Sequence, residues 1–117
     1  MTIMLETVTV PESGPFDISV TLSGNIQVPP ETARRRVSVF VGNQIADLLH
    51  GEAPDLVLGK RGIFWRVPVA LSSRSLGRIG IVGTIDVNVE TGELGITNQI
   101  IEEIEQHAQR LAVSTAL

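Results

Sequence analysis

The side chains able to do chemistry are few. The chain has 2 histidines, His50 and His107, and no cysteine. Without cysteine there is no disulfide framework, no thiolate zinc site, no Fe–S cluster and no thiol nucleophile. Neither histidine belongs to a His-x-x-x-His or Glu-x-x-His pair. Both read as surface residues, His50 at the end of a helix and His107 on the polar side of another. Glu102, Glu103 and Glu105 read as the solvated face of that second helix rather than as acid/base carboxylates. Serines, histidines and acids occur in an order that a catalytic triad tolerates. However, no Gly-x-Ser-x-Gly elbow is present, and Ser72, Ser73 and Ser75 read as loop residues. Gly77, Gly80 and Gly83 lie inside a strand pattern. A phosphate loop instead follows a strand and opens a helix. No catalytic constellation, metal site or cofactor is therefore expected.

The least ordinary feature is Arg34-Arg35-Arg36. Three cations near a helix N-terminus oppose the macrodipole. Either they bind phosphate or an acidic partner, or their stems cover apolar surface while the heads stay in water. Net charge is −4, but the charges are segregated. Residues 1–33 carry acids and no base, and most basic residues fall between Arg34 and Arg78. Arg34, Arg35, Arg36, Lys60 and Arg61 are thus a candidate basic patch, and a regulatory role linked to nucleic acid, as in an antitoxin, is the alternative function. Against it, aromatic residues are only 3% of the chain, and single-strand binders rely on aromatic stacking.

Elements must position these residues. At 117 residues with 43% hydrophobic content, the chain is one domain, residues 1–117, able to bury a core. Val, Ile and Leu must build it, which favours strands with helices packed on them. Leu5–Val10 reads as a strand. The clearest alternation is Phe16, Ile18, Val20 and Leu22 against Asp17, Ser19, Thr21 and Ser23, with the same parity continuing to Val28. Pro29-Pro30 opens a helix whose stripe runs from Ala33 to Leu49, with Gly51 as its stop. Asp55–Gly59 is a short strand. Residues 62–71 and 79–89 form an antiparallel hairpin, placing Trp65 opposite Ile85 and Val67 opposite Gly83. Pro68 lacks a ladder donor, so the strand there lies at an edge, is bulged, or is paired on one side. A helix from Thr97 to Val113 ends the pattern. The fold class is α+β, ββαβββα, an antiparallel sheet with two helices packed on one face.

The other face would carry Phe64, Arg66, Pro68, Val82 and Thr84. Phe64 and Val82 are too apolar for open water as one patch, so these residues are the candidate interface. The expected function is a non-enzymatic protein-interaction module, homodimeric, with a second, unidentified protein as partner. Met1–Val10 has neither a basic n-region nor an apolar h-region, and no apolar run reaches membrane-spanning length. The expected location is the cytoplasm, with no membrane partner.

The segments Phe64-Trp65-Arg66-Val67 and Ile85-Asp86-Val87-Asn88-Val89-Glu90-Thr91-Gly92-Glu93-Leu94 resemble the end of a PepSY-type domain, where a helix precedes a hairpin closed by Asp and then Thr-Gly-Glu. That resemblance implies secreted or membrane-linked proteins associated with peptidase inhibition. This chain departs from it in its start and in its further helix. The whole also resembles small bacterial proteins without an assigned activity, and no site residue is carried over from either.

Overall fold

The computed structural model describes residues 2–6, 11–19, 21, 23–59 and 61–115. Among them the order is β1 (Ile3–Leu5), α1 (Pro30–Gln44), β2 (Leu49–Gly51), β3 (Asp55–Gly59), β4 (Gly62–Ser73), β5 (Gly77–Asn88) and α2 (Asn98–Ser114). The class is α+β, as the sequence indicates. The sheet is mixed rather than antiparallel, because β1 runs parallel to β3.

β4 is the spine. On one side it pairs along its length with β5. On the other, β3 pairs with Gly62–Arg66 and β2 with Val69–Leu71. Pro68 falls in the gap between β3 and β2, and its carbonyl accepts from Glu52 N at 2.8 Å. Its missing N–H points into that gap, so no ladder bond is lost.

The hairpin register differs from expectation in an instructive way. At the turn, Ser73 faces Gly77 and Ser72 faces Arg78, the register the sequence predicts. Shifts follow between Leu71/Ser72 and between Val69/Ala70, leaving Ile79 and Val82 as extra residues on β5. Trp65 therefore faces Val87, and Val67 faces Ile85. A bulge also inverts side-chain parity. Val82 turns inward and is 2% exposed, while Ile81 is 46% exposed.

Both helices lie on one face. Gly51 and Gly83 flank Val69 from opposite sides, and directly opposed residues share a face. A Cβ at Gly51 would come within 2.9 Å of the Arg34 carbonyl in α1, and one at Gly83 within 2.7 Å of Ile104 Cγ1 in α2. The core lies between: Ala33, Val37 and Val41 from α1, Ile104 from α2, and Trp65, Val67, Val69, Ile85 and Val87 from the sheet. Trp65 is almost fully buried, and its indole N–H donates to the Val28 carbonyl at 2.7 Å.

Two expected elements change. No described residue between Pro11 and Pro29 is in a strand, and Phe16, Ile18 and Ile26 are 65%, 46% and 46% exposed. Of the expected strand Leu5–Val10, residues 7–10 lie outside the described residues. The first helix stops at Gln44, and Leu49-His50-Gly51 is a strand rather than its last turn. The second helix keeps its expected place, with Thr97 Oγ1 accepting from Ile100 N at 3.1 Å as an N-cap.

Replacing Gly83 with Ala should cost about 1–3 kcal/mol, because Ile104 must move to admit the methyl group. Trp65→Phe should cost about 2 kcal/mol, since the Val28 carbonyl stays buried without its donor. Urea denaturation followed by circular dichroism measures both.

Candidate functional site

The face of the sheet away from the helices carries the rows Phe64–Asn88, Arg66–Asp86 and Pro68–Thr84. The expected face therefore exists. Phe64 and Pro68 are half-buried and Thr84 is exposed. Val82 is corrected out of it by the bulge.

Arg66 anchors the face. Its Nε donates to Asp86 Oδ1 at 2.9 Å and its Nη2 to Asp86 Oδ2 at 3.0 Å, a bidentate pair. Nη2 also reaches Glu6 at 3.3 Å. The hydrogen bonds and charge of Asp86, then of Glu6, raise the guanidinium pKa further above its usual value. Arg66 is thus a bolt between β1, β4 and β5 rather than a free cation awaiting a partner.

Around this row lies a half-open groove of about 930 Å³. Its floor includes Phe64, Ile81 and Thr84, and its far wall is Leu94, Ile96 and the α2 residues Ile100, Glu103 and His107. Segment 93–95 forms that wall because it pairs back on β5: Asn88 N donates to Glu93 O at 3.0 Å, and Gly95 N to Asp86 O at 2.8 Å. The turn between is set by Asn88, whose Oδ1 accepts from Glu90 N and Thr91 N. Gly92, at φ +76°, closes it. Charges lining the groove are Glu6, Asp86, Glu93 and Glu103 against Arg61 and Arg66. With Arg66 already held by two of these acids, the remaining balance is acidic.

His107 does more than face solvent. Its Nδ1 is 2.9 Å from the Val82 carbonyl. A carbonyl only accepts, so Nδ1 carries the proton. The bulged residue has lost its ladder partner, and the histidine of α2 supplies one. The sequence gives no sign of this, since the bulge arises only from the pairing of β4 with β5.

Among the described residues the basic patch is divided between α1, which carries Arg34, Arg35 and Arg36, and the groove, which holds Arg61. Glu31 pairs with Arg34, whose Nε donates at 2.9 Å. That hydrogen bond holds the Glu31 carboxyl below its usual pKa. Arg36 donates to the Gly92 carbonyl at 3.1 Å, and a Cβ at Gly92 would overlap its guanidinium. Arg35 is exposed and lines a shallow surface together with Arg36, Val39 and Leu94. Arg61 lines the groove. Lys60 lies outside the described residues.

His50 sits in β2, beside Ala70, rather than at a helix end. Its Nδ1 is 3.5 Å from Ser72 Oγ, and its Nε2 is 3.9 Å from Glu52. These residue types match a triad, but the geometry does not. The serine contact is at the outer limit of a hydrogen bond, and Glu52 is committed to Arg78 at 2.6 and 3.0 Å. Hydrogen bonding to Arg78 lowers the Glu52 pKa, with its charge and that of His50 adding to the effect. Comparison with protein-family models, curated proteins and solved structures finds no match for the chain. Among the described residues no helix is long and apolar enough to cross a membrane.

Glu52 also sets a pH dependence. Its folded pKa is below its unfolded one, so its contribution to stability is present above the unfolded value and lost as pH falls through the folded one. Arg78→Met should flatten the loss of stability between about pH 5 and pH 3 relative to the parent chain. Urea midpoints measured across that range test it.

Proposed function

We propose that the protein is a non-enzymatic interaction module whose groove beside β5 holds a basic, partly apolar segment of another protein. The observation carrying this reading is the make-up of the groove. Apolar side chains line much of its floor and wall, its central arginine is already paired with Asp86 and Glu6, and Glu93 and Glu103 line it as well. An extended or helical segment with alternating cations and aliphatic residues complements such a surface. The internal commitment of Arg66, Asp86, Glu52 and Arg78 supports a structural role for these ions rather than chemistry. The pairing of Arg34 with Glu31 and of Arg78 with Glu52 weighs against a nucleic-acid face.

The test uses short fluorescein-labelled peptides alternating lysine with leucine, and the same peptides with glutamate in place of lysine. The lysine peptide should bind, lose affinity as salt rises, and lose at least about tenfold in Glu103→Lys. Ile81→Asp, at an exposed position in the groove, should have a similar effect. Equal affinity for both peptides, or no binding of the lysine peptide at low salt, rejects the proposal.

A further inference from the structure

Residues 16–23 hold the strongest strand pattern of the chain, yet their described positions join no strand and are exposed. An alternation with one wholly apolar face is a surface built to lie on another sheet edge or layer. Here Phe16, Ile18 and Ile26 meet water instead. Val20 and Leu22 belong to the same pattern in sequence. The segment stays tied to the body at its end, where Gln27 N and Val28 N both donate to the Val89 carbonyl at 2.9 Å.

The body presents a matching edge. Thr2 O accepts from Leu56 N and Glu6 N donates to Leu58 O, so these groups of the first strand face β3. The backbone groups of Ile3 and Leu5 point the other way, and no described residue bonds them. Their side chains are 60% and 45% exposed. Ile3 pairs with Leu56 and so shares the face of Trp65, although neither helix covers it. An edge strand with apolar side chains and open backbone groups is a template for another strand.

We propose that residues 16–26 of one chain add as a strand to the β1 edge of a second copy, in a reciprocal two-fold exchange. Arm and edge occur in the same sequence, so one exchange satisfies both on each chain, as a closed two-fold interface requires. The apolar face of the arm covers Ile3 and Leu5. This dimer is independent of the groove, so each copy keeps its groove open.

Light scattering over a concentration series should give a dimer mass. Phe16→Asp/Ile18→Asp should weaken dimerisation at least tenfold while leaving binding of the lysine–leucine peptide intact, which separates this proposal from the reading of the groove. Both positions are exposed in the single chain, so the substitutions leave its fold in place. The chain has no cysteine, so introduced thiols are unique. A mixture of Ser19→Cys and Met4→Cys chains, treated with a short bismaleimide, should give a cross-linked dimer. A monomer at every concentration overturns the proposal, as does a dimer indifferent to Phe16→Asp/Ile18→Asp. So does a Ser19→Cys/Met4→Cys chain that cross-links only within itself, which would place the arm on its own β1.

Discussion

The hydrogen bond from the Trp65 indole to the Val28 carbonyl organises the molecule. It joins the first third of the central strand to the stretch that leads into α1. Val28 N in turn donates to Val89, just past the end of β5. Three distant stretches of chain therefore meet at one buried point. The indole is the largest side chain in a core otherwise made of Val, Ile, Leu and Ala. A buried ring with a polar edge needs a partner for that edge, and this need fixes where α1 starts relative to the sheet. From that start, Ala33, Val37 and Val41 fall on the face already set by Trp65, Val67 and Val69.

The second constraint is the pair of bulges on β5. They move the ladder by two residues along its length and turn Val82 inward. One consequence is the seat of α2, whose His107 satisfies the Val82 carbonyl and whose Ile104 fills the space left by Gly83. Another is the shape of the groove, since Ile81 is turned outward on its floor. Removing the bulges would carry Val82 and Ile81 to opposite faces.

Much of the body is legible in the sequence because its signals are local. Asp55–Gly59, both strands of the hairpin and α2 follow from alternation, turn residues and the Thr97 cap. Their observed bounds lie close to the expected ones. The register of the hairpin was legible only beside its turn, where chain geometry sets it. Two residues hidden within an unbroken Ile/Val/Gly pattern displace the rest. In the sequence β2 reads as helix because Leu48 and Leu49 continue the stripe of α1, and three residues carry too little periodicity to decide otherwise. The N-terminal alternation is a local signal that the described chain does not use. The place of Phe64, Arg66, Pro68 and Thr84 on the face away from the helices follows from parity alone. The commitment of Arg66 to Asp86 and Glu6, and of Arg36 to Gly92, depends on contacts between residues far apart in sequence.

The gap opposite Pro68 has an architectural consequence. β2 and β3 follow one another along the same edge of β4, and the stretch from Glu52 to Pro54, tied to β4 where Glu52 N donates to the Pro68 carbonyl, steps from one ladder to the next. Extra residues inserted between Ala53 and Pro54 would leave both ladders and the helix-bearing face as they are. The cost would be that of a longer loop, which grows only slowly with length. The sheet is thus open to elaboration at this point. A related chain could grow a lobe here, on the edge opposite β5, while keeping the core and the groove unchanged.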